Sequence, residues 1–195
     1  MHSPDRRINK SKNALKKSLL TLMKEKEFKS ITITEIVALA DLNRGTFYKH
    51  YQYKEDLLDD VIHDVIEDLI ESFRAPYRDN SNFFKEELSS SAIKLFDHVA
   101  KYADFYTIII HSNVLPGFQN KICDVLKEIA LQDLLLDKTA SAINPELLAS
   151  YQAYALLGLI VEWVKGGFKY TPQYMTEQLI EILAESHFAK GKRKA

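Results

Sequence analysis

Three residues, Asp41-Leu42-Asn43, stand between two short apolar-patterned segments, and this spacing constrains the fold more than any other feature of the chain. The segment ahead of them opens with Thr32-Ile33-Thr34-Glu35. That is the form of a capping box, in which a Thr oxygen accepts from a backbone N–H three residues on while the Glu side chain reaches back. A helix therefore starts at Thr32 or Thr34, with Ile33, Ile36, Val37 and Ala40 as its buried face. The segment behind, roughly Arg44–Tyr51, carries Phe47 and Tyr51 four residues apart, on one side of a helix. Two short helices joined by a three-residue turn make a helix-turn-helix, whose second helix lies in the major groove of DNA.

The rest of the chain follows the helical period. Leu15, Leu19, Leu22 and Met23 stripe a first helix over about Arg7–Glu27, and Phe28 and Ile31 pack under the turn after it. A long fourth helix starts near Lys54 and repeats Leu58, Val61, Ile62, Val65, Leu69 and Phe73 until Pro76 stops it. Five more are expected at about Asn82–Lys101, Ala103–His111, Pro116–Leu136, Pro145–Lys169 and Pro172–Ala189. Strand-like alternation is confined to Ile31–Thr34, which is better read as a helix entry. The fold class is all-α. Residues 1–53 are read as a three-helix DNA-binding head, residues 54–189 as a helical body, and residues 190–195 as a basic tail expected to be disordered.

With Phe47 and Tyr51 turned inward, Asn43, Arg44, Gly45, Thr46, Tyr48, Lys49 and His50 are left on the outer side. Their chemistry suits a nucleic acid. Arg44 can take guanine N7 and O6 or a phosphate, and the hydroxyls of Thr46 and Tyr48 suit phosphate oxygens. Gly45 lets the backbone approach closely, and Lys54 is placed to touch a flanking phosphate. Two alternatives stay open: Tyr48 packing against the first helix, and His50 merely capping its own.

The run Ile31-Thr-Ile-Thr-Glu-Ile-Val-Ala-Leu-Ala-Asp-Leu-Asn-Arg-Gly-Thr-Phe-Tyr-Lys-His-Tyr-Gln-Tyr-Lys-Glu-Asp-Leu-Leu58 resembles the TetR/AcrR family signature in both residue types and spacing. The resemblance implies a fold of about nine helices, a homodimer on a palindromic operator, and release of DNA when a small ligand enters the C-terminal domain. It carries DNA contacts to Thr46, Tyr48, His50 and Lys54, and also to Thr34 and Arg44. The chain departs from the pattern at Asp41, where Gly is usual, at Tyr51 in place of Phe, and at Asn43 in place of Ser or Thr. Asp tolerates a left-handed backbone better than most residues, so the turn is expected to survive.

Beyond Pro76 the signal thins. Tyr151, Tyr154, Leu156, Leu159 and Trp163 give a helix apolar on more than one side, and Met175, Leu179, Ile182 and Leu183 stripe the last. The resemblance pairs these two helices with their twofold mates in a four-helix bundle. Phe73, Phe84, Tyr102, Phe105, Tyr106 and Trp163 are candidates to line a pocket for an unknown small-molecule effector; ordinary core packing is the competing reading. The stretch from Leu157 to Leu183, with Glu-Trp-Val-Lys-Gly-Gly-Phe and Pro-Gln-Tyr-Met, resembles a subgroup that includes regulators of dihydroxyacetone kinase operons, some of which act with a protein co-regulator. A co-regulator working through a protein partner is therefore the second functional reading.

Charge agrees with a nucleic-acid head. Residues 1–56 hold 12 basic and 7 acidic side chains, whereas residues 57–189 hold 10 basic and 20 acidic, within a net charge of −1. A basic head on an acidic body is built to meet a polyanion. Lys10, Lys12, Lys16 and Lys17 are read as solvated, with one of them near a phosphate. Asp59, Asp60, Asp64, Glu67, Asp68 and Glu71 are read as the wet face of the fourth helix. The single Cys123 excludes an internal disulfide and is expected as a small buried hydrophobe. No apolar leader follows the N-terminus, and the apolar runs, such as Leu156–Val161, are short of the ~20 residues that span a bilayer, so a cytoplasmic protein is expected. The six His residues are scattered, and neither a phosphate loop nor a nucleophile elbow occurs. No cofactor, metal or enzyme chemistry is implied.

Overall fold

The computed structural model describes residues 4–75, 85–112, 114–131 and 143–188. Among these residues there are nine α-helices, one 3₁₀ turn and no strand. The helices are α1 (Pro4–Glu25), α2 (Ile33–Leu39), α3 (Arg44–Tyr48), α4 (Lys54–Arg74), α5 (Lys85–Lys101), α6 (Ala103–His111), α7 (Leu115–Ile129), α8 (Pro145–Lys165) and α9 (Pro172–Phe188). The 3₁₀ turn, Phe28–Ser30, follows α1. The chain divides into two compact units, residues 1–65 with 107–118, and residues 66–106 with 119–195.

In the first unit the expected periodicities become buried faces. Leu15, Leu19 and Met23 of α1 are buried, as are Phe28 and Ile31 at the turn and Ile36 and Val37 of α2. The capping box forms as the sequence predicts: the Thr32 hydroxyl accepts from Glu35 N–H, and Thr32 N–H donates to the Glu35 carboxylate at 2.9 Å. Asp41 takes φ 53, the left-handed turn expected of it. Two boundaries come out shorter than predicted. α1 gives way to the 3₁₀ turn two residues early, and α3 ends at Tyr48 rather than Tyr51.

In the second unit α5 packs on α9. α8 starts on a capped proline, with Asn144 Oδ1 accepting from Glu146 and Leu147 N–H. It stops at Lys165, four residues before the expected end. Gly167 and Phe168 turn left-handed there, at φ 70 and 56, and Phe168 N–H donates to Trp163 O. Cys123 is buried, and burial pushes its thiol up from the ordinary value. The reading of the apolar runs needs correction. Taken with its flanks, α8 is long and apolar enough to cross a membrane by length and composition, with a mean hydropathy of 1.4 over its most apolar 18 residues. Alanines among the aliphatic residues extend that apolarity beyond any single run. The expected tail at 190–195 lies outside the described residues.

Candidate nucleic-acid interface

α3 is five residues long, too short to hold itself as an isolated helix, so its neighbours must hold it. Its entry is capped by Asn43, whose Oδ1 accepts from Thr46 N–H at 2.8 Å and from the Thr46 hydroxyl at 3.1 Å. Asn43, expected at the DNA face, is thus engaged as a cap. A Cβ on Gly45 would come within 3.2 Å of that same oxygen, so glycine lets the cap close. Phe47 is fully buried and Tyr51 nearly so, their rings 5.7 Å apart. Tyr51 donates its hydroxyl to Asp60 at 2.6 Å, and burial together with that carboxylate holds the phenol well above its ordinary range.

The outer side carries Arg44, Gly45, Tyr48 and Lys49, all exposed, with Thr46 and His50 partly so; Thr34 is exposed on the first turn of α2. Tyr48 is 50 % exposed. Its ring rests edge-on against Phe47, and its hydroxyl receives Arg44 Nη2 at 3.1 Å, with the guanidinium 5.8 Å from the ring. The pair presents a cation and a hydroxyl side by side, the donor set that phosphate and base edges accept.

Lys54, expected at a flanking phosphate, has partners within the protein. Its Nζ donates to the carbonyls of Phe28 (2.8 Å), Lys29 (3.0 Å) and Ile31 (2.7 Å), and lies 4.8 Å from the Phe28 ring centre. The reading of Lys12, Lys16, Asp60 and Asp64 as solvated is also corrected. Lys12 and Lys16 meet Asp60 at 2.9 and 3.0 Å, and Lys16 reaches Asp64 at 2.6 Å. Burial alone would raise the Asp60 carboxyl; Tyr51 and the two lysines overcome it and hold the group at about 2. The shared i, i+4 spacing of the two pairs was the available signal for this clamp, though nothing local says that they meet.

Of the residues expected at an effector pocket, Phe73, Phe105, Tyr106 and Trp163 are buried and Tyr102 is partly exposed, while Phe84 lies outside the described residues. Tyr102 and Tyr106 flank His98, at 4.7 and 6.0 Å between ring centres. Trp163 packs elsewhere, between Phe96 and Phe168, and donates Nε1–H to Tyr170 O at 2.9 Å. It lines an open groove of about 470 Å³ with Leu159, Tyr170, Tyr174, Met175 and Ile182. His98 and Asp68 were read as a scattered histidine and a solvated acid. In the fold they pair at 2.8 Å across thirty residues of sequence, and Lys101 meets Asp68 at 3.0 Å. The His98 side chain is fully buried, and its Nε2 has no hydrogen-bond partner. Burial lowers the imidazole below its ordinary value despite the carboxylate beside it, because desolvating the cation costs more than that carboxylate returns. Among the described residues no group of three His, Cys, Asp or Glu side chains converges to hold a metal.

A capped, five-residue helix with a buried aromatic side and a cationic, hydroxyl-bearing outer side, preceded by a three-residue turn that opens on the left-handed Asp41, defines a helix-turn-helix DNA-binding protein. Two family models cover most of the chain: "Bacterial regulatory proteins, tetR family" over residues 18–61 and "Transcriptional regulator C-terminal region" over residues 86–185. The chain belongs to the TetR family of transcriptional regulators, which are DNA-binding transcription factors and not enzymes. It is 27 % identical over 181 residues to the uncharacterized HTH-type transcriptional regulator YxbF of Bacillus subtilis, covering 92 % of this chain and 46 % of that protein. The chain thus spans about half the length of that relative. Two solved structures share the fold. One is NalD of Pseudomonas aeruginosa, the secondary repressor of the MexAB-OprM multidrug efflux pump, with TM-score 0.72, 19 % identity and coverage of 92 % of this chain and 96 % of that one. The other is the dihydroxyacetone kinase operon activator DhaS, with TM-score 0.62, 18 % identity and coverage of 90 % and 95 %.

Proposed function

We propose that this transcriptional regulator is a ligand-responsive repressor that binds a palindromic operator as a homodimer in the cytoplasm. The observation that carries the reading is the outer side of α3, where Arg44 and Tyr48 are held together on a helix locked by Asn43, Phe47 and Tyr51. Arg44, Thr46, Tyr48, Lys49 and His50 read the major groove and its phosphates, with Thr34 on a neighbouring phosphate. DNA reading belongs to residues 1–53, effector binding and dimerisation to residues 54–189. Two copies place their α3 helices on half-sites about 34–36 Å apart, or a multiple of that turn. An effector bound in residues 54–189, with Phe73, Phe84, Tyr102, Phe105, Tyr106 and Trp163 as its candidate lining, releases the operator by shifting α4, one continuous helix from Lys54 to Arg74. It does so only if it binds the two arrangements with different affinity.

The test selects duplexes from a random-sequence pool and measures fluorescent operator binding at several salt concentrations. Wild type should bind one palindromic sequence selectively, with affinity falling as salt rises. Arg44→Ala with Tyr48→Ala should abolish the selectivity while the protein stays folded. A folded wild type that enriches no sequence sinks the repressor reading and favours a co-regulator acting through a protein.

A further inference from the structure

We propose that Asp60 is a positioning residue for DNA reading, holding α3 in place through the Tyr51 hydroxyl. One oxygen, Asp60 Oδ2, gathers three groups: the Tyr51 hydroxyl at 2.6 Å, Lys12 Nζ at 2.9 Å and Lys16 Nζ at 3.0 Å. Lys16 also meets Asp64, one turn further along α4, and Lys12 lies 5.6 Å from the centre of the Tyr51 ring. α1, α4 and the residue that closes the α3 segment thus meet at a single carboxylate. Tyr51 is buried and its hydroxyl is turned to α4, so it acts on DNA only through what it holds.

A five-residue helix needs such a tether, because it cannot fix its own direction. The inward contact of α3 is made by the rings of Phe47 and Tyr51. Ring packing resists separation, but it is non-directional and resists sliding only weakly. A hydroxyl on a carboxylate is directional, and at 2.6 Å it belongs to the short, charge-assisted class. The two ammoniums on the same oxygen keep the carboxylate from swinging away. From Tyr51 the constraint runs into the helix. Lys49 N–H donates to Gly45 O, and His50 and Tyr51 N–H both donate to Phe47 O. A shift of the Tyr51 ring therefore moves the turn that carries Arg44, Thr46 and Tyr48. This rests on the reading of α3 as the DNA-reading helix.

The experiment compares wild type, Tyr51→Phe, Asp60→Ala and the double variant. Each is titrated with the selected operator and with a random duplex of equal length, at one salt concentration and at a temperature where it is fully folded by circular dichroism. The quantity read is the ratio of the two affinities. Loss of the Asp60 charge strengthens binding to any duplex, and the ratio cancels that effect. Tyr51→Phe should lower the ratio by about tenfold, the scale of one misplaced base contact. Asp60→Ala should lower it by a similar factor, and the double variant by no more than the larger single, because both break the same bond. Two losses that multiply mean that Asp60 does not act through Tyr51, and they overturn the proposal. An unchanged ratio in folded Tyr51→Phe overturns it too. That variant removes one oxygen and keeps the ring and every charge, so it decides the question even where Asp60→Ala does not fold. Without DNA, amide exchange at Lys49, His50 and residue 51 should quicken in Tyr51→Phe; exchange at the wild-type rate shows α3 standing without the tether, against the proposal. Wild type that prefers neither duplex is a failure of the DNA-reading helix itself, seen before any variant is compared, and it takes this inference with it.

Discussion

Asp41 holds a left-handed backbone at φ 53 with a β-carbon in place, a conformation that costs an ordinary L-residue ~1–2 kcal/mol and Asp somewhat less. Asp41→Gly should therefore stabilise the protein by about 0.5–1 kcal/mol, after the greater chain entropy of unfolded glycine is subtracted. Asp41→Val should destabilise it by more than ~1 kcal/mol, since a β-branched residue fits that region worst. Urea unfolding of the three proteins checks the order Gly above Asp above Val, and a Gly variant below wild type would show the strain argument to be wrong. The turn was legible in the sequence because only a few residue types accept its geometry. Asn43 was not legible in the same way. A short amide is equally suited to a base edge and to a helix cap, and its neighbour Gly45 suits close approach to either, so residue type alone cannot choose. In the fold its Oδ1 takes the cap.

At the scale of elements, what is local was readable and what is long-range was not. The Thr32–Glu35 box closes within four residues, and its pattern predicts it. The two polar clusters of α4 rest on pairs thirty or more residues apart, Asp60 with Lys12 and Lys16 and Asp68 with His98 and Lys101, and these were not legible; Tyr51, nine residues from Asp60, joins the first. A row of acids on an amphipathic helix looks solvated whether or not a cation waits on the neighbouring helix. The two contacts should separate by pH. Asp60 titrates at about 2 when folded against an ordinary 3.8, so its contribution is complete above pH 3.8 and is lost as pH falls toward 2. His98 is lowered from 6.5 by burial, so the unfolded chain takes up its proton first, and stability is lost as pH falls below 6.5. The melting temperature of wild type should thus decline in two stages. His98→Asn should flatten the stage below pH 6.5, and Asp60→Asn should make the stage below pH 3.8 shallower, the lowered carboxyls of Glu35 and Asp68 keeping part of it. Each substitution should leave the other stage in place; a single stage removed by both would mean that the two groups titrate as one.

For the whole molecule, α8 poses the sharpest question, because it is apolar on every side. Ala149, Ala153, Leu157, Ile160, Trp163 and Val164 are buried, yet Leu147, Tyr151 and Tyr154 stand 70, 70 and 61 % exposed at i, i+4 and i+7. They form one stripe, extended one turn beyond Tyr154 by Gly158, where nothing lies within 4 Å of a would-be β-carbon. A helix with that much outward apolar surface is made to be covered. Its membrane-like mean hydropathy comes from the leucines, isoleucine, valines and alanines of the helix, and composition alone cannot tell a bilayer from a protein core or a second protein. A twofold partner is the occupant that the proposed palindromic operator requires. Tyr151→Glu with Tyr154→Glu should keep the fold, because both side chains are largely in water within the monomer, and should shift sedimentation from dimer to monomer. Operator affinity should then fall by about 10²–10⁴-fold, the advantage that linking two half-site contacts confers. Binding to a single half-site should stay as weak as it is in wild type. If the double variant sediments as wild type does, the stripe is not the dimer face, and the pairing of α8 with its mate must be given up along with the geometry it imposes on the two recognition helices.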